Sequence, residues 1–558
     1  MHNIVLLPTV TLLIWYTYPF HNSHLGKSYR SGADPAVVEF RGEYYMFVTR
    51  SWGYWHSKDL LNWDFITPEK WYFEGCNAPA AHNYKDSVLY VCGNPSGAMS
   101  ILYTDNPKRG DWKAVPSVLH DLQDPALFID DDERAYMYWG ASNRWPIRGK
   151  ELDMKNKFLP IAKKPDSLLF LRPDIHGWER FGENHTSDIK PFIEGAWMTK
   201  HNGKYYLQYA APGTQFNVYG DGVYVGKSPL GPFEYAAHNP FCYKPGGFAT
   251  GAGHGSTVCG PGGIYWHFGT IHLSINYKFE RRLCMFPTFF DEDGAMYSDT
   301  YFGDYPHYSP DQVSRQTTSG GFRGWMLLSY GKPVKASSQL ESYPVENVTD
   351  ENLKTFWVAE KNDDKQWVEI DLEEVSDVYA LQLNFFDYEE TGFWGRMPNL
   401  RQRYLVEASV DGARWRVLVD YRNSFRDAPH NYIELDQPIE ARYIRYRHHY
   451  VPGKNLAMGD IRVFGLGRGK KPATVKGFTV VREADERNAR ISWKAVKGAQ
   501  GYNVLWGVAL DKLYSSWMVY GDNSLDLRAL TVGQKYYFAI EAFNENGISQ
   551  RVFLREAH

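Results

Sequence analysis

ADPAVVEFRGEYYMFVT, residues 33–49, sets a pattern that returns four more times along the chain. It opens on a small or charged anchor, here Asp34, continues through an apolar run, turns on polar residues and resumes as an aromatic-rich strand. The returns are NAPAAHNYKDSVLYVCG (77–93), QDPALFIDDDERAYMYWG (123–140), IEGAWMTKHNGKYYLQYA (193–210) and GHGSTVCGPGGIYWHFGT (253–270). The anchors Asp34, Ala78, Asp124, Glu194 and His254 lie about 45 to 70 residues apart, room for roughly four short strands each, the size of one propeller blade. Second hairpins follow in YWHSKDLLNWDFI (54–66), ILYTDNPKRGDWKAV (101–115) and VYVGKSPLGPFEYA (223–236), where an aromatic closes a strand after a Pro-, Gly-, Asp- or Asn-rich turn. Five such units predict an all-β fold with a five-bladed β-propeller over residues 25–310.

Composition agrees with strands. Of 558 residues, 16% are Trp, Tyr or Phe, with Gly 49 and Pro 30 beside them, a mixture suited to short strands and tight turns. Length alone predicts three or four domains. A net charge of −4 leaves no basic field to hold nucleic acid by counterion release. The five cysteines Cys76, Cys92, Cys242, Cys259 and Cys284 form no C-x-x-C pair, which argues against a zinc site or a disulfide-dense scaffold. Residues 1–20 hold an apolar run from Ile4 to Tyr16, too short for a membrane span. It reads as a weak secretory signal, for a secreted or periplasmic protein, or equally as a buried N-terminal strand. No later segment reads as transmembrane, and the chain is expected to act as a monomer.

Beyond the repeats, residues 324–465 alternate as a β-sandwich, through KQWVEIDL, YALQLNFF, RYLVEASV, RWRVLVDY and ARYIRYRHH. GLGRGKKPAT (465–474) reads as a linker. Residues 473–558, with ARISWKAV, YNVLWGV and KYYFAIEAFNENG, alternate again at the size of an immunoglobulin-like sandwich.

In a propeller the starts of the innermost strands ring one mouth of the channel, so the anchors are expected to meet. Asp34, Asp124 and Glu194 are carboxylates and His254 is a fourth polar anchor. Acids crowded in an aromatic-lined mouth repel one another and lose hydration, which drives their pKa values apart. One then keeps its proton while another stays ionised, as glycosidic cleavage requires. Asp-Pro and Glu-Gly also begin strands as plain turn residues.

These repeats resemble glycoside hydrolase family 43 and its clan over about residues 30–305. ADPAVV (33–38) resembles that family's catalytic-base strand, QDPALF (123–128) its middle-aspartate strand and IEGAWM (193–198) its acid strand. The resemblance implies Asp34 as general base, Glu194 as general acid and Asp124 as the residue that raises the acid's pKa and orients it. It also implies inversion, with carboxyls about 6.5 to 9.5 Å apart to admit a water, and no cofactor for catalysis. GAGHGS (251–256) resembles the family's channel histidine strand, so His254 contacts substrate, holds a water or cation, or is structural. FERRLCMFPTFFDEDG (279–294) resembles the final blade; strand alternation sends one of Arg281 and Arg282 to the sugar and leaves the other a solvated charge. Trp52, Trp55, Trp139, Trp197 and Phe248 are candidate sugar platforms or inter-blade packing. Asn77-Ala78-Pro79 replaces the family's usual Trp-Ala-Pro, so the terminal-sugar subsite differs.

NVTDENLKTFWVA (347–359), VEASVDGARW (406–415), ARYIRYR and GDIRVFG resemble a discoidin, or factor 5/8 type C, domain. The resemblance implies a structural Ca²⁺ held by Asp350, Thr355 and Asp460, the last standing where Glu is usual. Phe393, Trp394, Arg396 and His449 are candidate sugar contacts, unless the domain only buttresses the propeller. SVDGARW reads as a turn. The last domain resembles fibronectin type III, with Trp493, Tyr502 and Tyr537 in its core, and reads as a spacer. Together the resemblances imply an exo-acting hydrolase of oligo- or polysaccharide side chains, α-L-arabinofuranosidase first and β-xylosidase or a galactosidase-type activity next. The alternative is a catalytically silent carbohydrate-binding propeller with adhesion modules.

Overall fold

A computed structural model of the chain describes residues 20–22, 27–29, 31–51, 53–68, 76–94, 98–117, 119–120, 122–162, 164–275, 278–313, 321–389 and 401–555. The apolar run from Ile4 to Tyr16 lies outside these residues. Each repeat folds into one antiparallel sheet of four or five strands. Their first strands are β1 (Ala36–Phe40), β2 (Asn77–Tyr84), β3 (Ala126–Ile129), β4 (Glu194–His201) and β5 (Thr250–Cys259). These touch in the closed order β1, β2, β3, β4, β5, β1.

The β-branched and aromatic residues alternate as a half-buried strand demands, and both faces of each sheet pack on neighbouring sheets, so Val37, Met46, Leu89, Met137, Leu207 and Phe268 are all buried. Hydroxyls lace the ring between sheets. Ser256 accepts the Val37 N–H at 2.9 Å and donates to the Pro35 carbonyl at 2.7 Å. Thr49 accepts the Ala78 N–H at 2.8 Å. The ring closes where Gly32 N–H donates to the Arg281 carbonyl at 3.0 Å.

The second module is a single eight-stranded antiparallel sheet. KQWVEIDL and YALQLNFF, read apart in the sequence, form one strand, Trp367–Phe385. Its register against His430–Tyr450 shifts between Asp371 and Ser376 and between Val378 and Ala380. Such bulges bend a strand, and the sheet encloses one core of Trp357, Leu381, Val406, Tyr446 and Val463. SVDGARW is a turn, as read: Asp411 accepts the backbone N–H of Ala413 and Arg414, and Trp415 donates to the Gly412 carbonyl.

The third module packs a three-stranded sheet against a five-stranded one. Trp493 and Tyr502 are buried in its core, but the fully packed tyrosine is Tyr536, with Tyr537 only half-buried. This module is no loose spacer. Residues 172–184 dock on it: Gly177 N–H donates to the Leu530 carbonyl at 2.8 Å, Val532 N–H to the Ile175 carbonyl at 2.9 Å, and Arg180 to Asn488 at 2.6 Å. Tyr514 stacks on Tyr297 at 3.7 Å. All three modules meet at Arg462, which is fully buried; it pairs with both oxygens of Glu351 at 2.7 and 2.9 Å and donates to the Asp304 carbonyl at 2.7 Å. Tyr520 of the third module donates to the same Glu351 at 3.3 Å.

Candidate functional site

Four of the five anchors share one backbone device. Asp34 (φ 56°), Ala78 (φ 44°) and Asp124 (φ 49°) sit in the left-handed region at or just before the start of an inner strand, His254 (φ 50°) does so at a register shift within β5, and in the fourth sheet Gly195, next to Glu194, takes it at φ 66°. A non-glycine residue there costs about 1–2 kcal/mol. The turn lifts each anchor out of the pleat and toward the ring axis, so side chains from different sheets converge. Gly195 is glycine for a second reason. A Cβ on it would stand 2.8 Å from Cγ of His254.

Asp34, Asp124, Glu194 and His254 do come together. His254 Nδ1 lies 3.3 Å from Oδ1 of Asp34 and 3.8 Å from Oδ2 of Asp124. The Asp34 backbone N–H donates to Thr270 at 2.9 Å, and its Oδ2 accepts the Thr49 hydroxyl. Arg281 Nη1 stands 3.5 Å from Oδ1 of Asp34 and 3.4 Å from Thr214. Tyr219 donates to Oε1 of Glu194 at 2.6 Å. Behind His254, buried Asp221 accepts the backbone N–H groups of His254 and Gly255 at 2.7 and 2.9 Å and faces His267 at 3.1 Å.

The electrostatics split the three acids. Burial pulls the Asp34 carboxyl up, but His254, Arg281 and the Thr49 hydroxyl outweigh it and hold it below the usual carboxylate range. Burial pushes Asp124 up to about 7, against His254 and Arg281 and aided by the charges of Glu194 and Asp34. Glu194 is also raised, by burial first, against His254 and the Tyr219 hydrogen bond. His254 itself is raised: burial opposes its charge, but Asp34, Asp124, Glu194 and Asp221 outweigh that. The mouth thus favours an ionised Asp34 beside a charged His254, and retention of a proton on the Asp124–Glu194 pair.

Among the remaining candidates, Arg281 faces the acids, as alternation predicts for one of the two arginines. Arg282 is not solvated: it is buried, 3.4 Å from Glu280, and donates to the Arg281 carbonyl at 3.0 Å. Asn77 opens β2 and accepts from Arg50 Nε at 2.9 Å. Trp197 is half-buried and donates to the Thr257 carbonyl at 3.3 Å, so it packs between the fourth and fifth sheets. Trp139 is buried in the same core, and Trp55 is buried edge-on against Phe65. Phe248 is buried at the module junction under the Arg462 guanidinium, 4.3 Å away, and is no sugar platform. Trp52, Phe393, Trp394 and Arg396 lie outside the described residues; His449 is exposed. Sequence reading missed Tyr219, Thr49, Thr270 and Asp221, which lie away from the anchors and gain their roles only through pairing.

In the second module Thr355 donates to Asp350 at 2.6 Å. Asp460 Oδ1 accepts the Glu351 N–H at 2.8 Å, while its Oδ2 is buried without a hydrogen-bond partner. An orphaned carboxylate oxygen near a second acid suits a hard cation. Among the described residues, however, no group of three or more His, Cys, Asp or Glu side chains that could hold a metal ion is assembled. Also among the described residues, no helix is long and apolar enough to cross a membrane.

Residues 29–296 match the family model of glycosyl hydrolases family 43, and residues 333–458 match that of the F5/8 type C domain. A β-xylosidase of Xylanibacter ruminicola is 33% identical over 202 residues, 32% of this chain and 57% of that protein. An arabinoxylan arabinofuranohydrolase of Bacillus subtilis (strain 168) is 30% identical over 189 residues, 30% of this chain and 34% of that protein. This chain thus spans little more than half of the first and a third of the second. A solved structure titled glycoside hydrolase aligns at 19% identity and a TM-score of 0.43, over 79% of this chain and 98% of that one.

Proposed function

We propose, for a chain that carries a family 43 glycosyl hydrolase domain and an F5/8 type C domain, an exo-acting, inverting glycoside hydrolase that removes terminal sugars from polysaccharide side chains. The observation that carries this reading is the split of the three acids around His254, one held below the usual carboxylate range and two raised above it in one buried mouth. Asp34 is the general base. It takes a proton from water as the water oxygen bonds to the anomeric carbon and the glycosidic C–O bond breaks. Glu194 delivers its proton to the departing oxygen, with Tyr219 fixing the carboxyl's orientation, and Asp124 keeps the local charge low enough for Glu194 to hold that proton. Arg281, whose Nε is buried without a partner, offers that donor to a sugar hydroxyl.

An α-L-arabinofuranosidase is the first choice and a β-xylosidase or galactosidase-type enzyme the next. Relatives named for xylosidase and for arabinofuranohydrolase activity support both. The ring of sheets reads as a five-bladed propeller over 25–310, followed by a discoidin-like module over 324–465 and a fibronectin type III-like module over 473–558. The protein is secreted or periplasmic and monomeric, and a structural Ca²⁺ in the second module would be held by Asp350, Thr355 and Asp460. The deciding experiment assays nitrophenyl arabinofuranoside, xyloside and galactoside with the wild type and Asp34→Asn. Hydrolysis of one substrate that falls at least 100-fold in the variant supports the reading. Failure on the whole panel with tight polysaccharide binding supports the catalytically silent propeller instead.

A further inference from the structure

The strand before the turn at residues 140–146 runs antiparallel to β3, so that turn emerges on the face where the anchors begin. Ser142 ties it there: it exchanges both backbone hydrogen bonds with Ile193, each at 3.0 Å, and Ile193 immediately precedes Glu194. The Ser142 hydroxyl accepts the backbone N–H of Arg144 at 2.9 Å and of Trp145 at 3.1 Å, which sets the shape of the turn. Trp145 is nevertheless 54% exposed, and Phe170, at the end of a neighbouring strand of the same sheet, is 55% exposed. Large aromatics left in water beside a catalytic mouth carry an unused apolar surface.

The Arg144 and Arg148 guanidinium carbons lie 4.9 and 5.3 Å from the centre of the Trp145 ring. Among the described residues neither has a carboxylate partner, in a chain whose net charge is −4. Two guanidinium groups held against an indole keep their in-plane N–H groups available, and that fork matches a carboxylate. We propose that Arg144, Trp145 and Arg148 form a leaving-group-side subsite for a glycan carrying a uronic acid, with the sugar ring on Trp145 and its carboxylate on the two arginines. The placement on the leaving-group side rests on the hydrolase reading of Glu194, since the acid protonates the departing oxygen and Ile193 is its neighbour. The uronate recognition does not rest on it.

The test is electrophoresis of the full chain carrying Glu194→Gln through gels containing glucuronoarabinoxylan, or the same polymer after its carboxyls are reduced to hydroxymethyl groups. The native polymer is expected to retard the protein about fivefold more strongly than the reduced one. Adding Arg144→Ala and Arg148→Ala abolishes that difference at unchanged Tm; the Gln pair serves if the Ala pair melts early. Trp145→Ala weakens retardation by both polymers. Equal retardation by the two polymers before the arginines are changed, or a preference that survives their loss, overturns the uronate subsite; unchanged retardation of the Trp145 variant overturns the platform. Failure of the hydrolase reading shows separately, as aryl-glycoside cleavage undiminished by Asp34→Asn.

Discussion

The Tyr219 phenol donates a 2.6 Å hydrogen bond to Oε1 of Glu194. That bond favours the ionised carboxylate and works against the burial that raises Glu194. Tyr219→Phe removes it, so Glu194 holds its proton to still higher pH. The alkaline limb of kcat/KM is expected to move up by about one pH unit, since a hydrogen bond to a charged group is worth roughly 1.5 kcal/mol or more and one unit is about 1.4. The looser carboxyl lowers kcat about tenfold. A limb that stays in place removes Tyr219 from the site.

Asp34 and Glu194 are separable by the leaving group. A departing nitrophenolate needs little protonation, so Glu194→Gln is expected to lose only about tenfold on a dinitrophenyl glycoside but about 10³-fold on an alkyl glycoside or oligosaccharide. Asp34→Asn loses about 10³-fold on all of them, because water still lacks its base. Proton NMR of the first-formed sugar anomer checks the inverting course in the same samples. Equal losses in both variants on both substrates contradict the assigned roles.

Asp124 ties both activity and stability to pH, and both fall as its proton leaves. Its carboxyl is raised from 3.8 to about 7 in the folded chain. A raised acid contributes stability below its unfolded pKa and loses it as pH rises through the folded value, so the wild type sheds stability between about pH 4 and 7. Asp124→Asn escapes that loss. Its Tm is expected to exceed that of the wild type by several degrees at pH 8 and to match it near pH 3.5, while kcat falls about 100-fold at every pH. The wild-type rate profile is a bell, its acid limb lying below the usual carboxylate range, where Asp34 gains a proton, and its alkaline limb at about 7, where the Asp124–Glu194 pair loses one. Calorimetry and kcat/KM across pH check both.

The repeat made the ring and its acids legible before any coordinates, because each sheet restates one pattern and the anchors therefore fall at similar points. Their backbone was not legible. Asp34 and Asp124 precede prolines, which favours extended backbone, yet both are left-handed, a conformation fixed by the convergence of five sheets. Tyr219 and Asp221 were invisible for a related reason: nothing in TQFNVYGDG distinguishes a carboxylate's partner from core filler until β4 and β5 lie beside it. Trp139 and Phe248 erred the other way, since aromatic residues near a motif are mostly packing in a fold so rich in rings.

Gly195 is the sharpest test of that convergence. Alanine there meets the His254 ring at 2.8 Å and must hold φ near +66°. Gly195→Ala is expected to cost about 2 kcal/mol of stability and to push His254 off Asp34, raising the Asp34 pKa toward its ordinary value and moving the acid limb of the rate profile to higher pH. Gly203→Ala, also at positive φ (+74°) but with open space around its Cβ, carries the strain without the clash. It is expected to lower Tm while leaving the rate profile in place. A profile shifted equally by both variants contradicts the contact.

Arg462 predicts how the modules melt. Its guanidinium is buried against Glu351, the Asp304 carbonyl and Gln382, and Glu351 also takes the Tyr520 hydroxyl, so one side chain joins three modules. Removing one partner of a buried pair strands the other charge, at a cost of about 3–5 kcal/mol. Arg462→Ala leaves Glu351 unpaired beside Asp460, whose carboxyl burial and that same glutamate already push well up. The wild type is expected to melt in one calorimetric transition, and Arg462→Ala to split it into at least two, with the second module first. Arg462→Met with Glu351→Leu removes the charge together with its partner and is expected to recover most of the lost Tm, because an apolar pair of similar volume replaces a desolvated ion pair at little cost. A single, unshifted transition in Arg462→Ala contradicts the coupling of the modules through this residue.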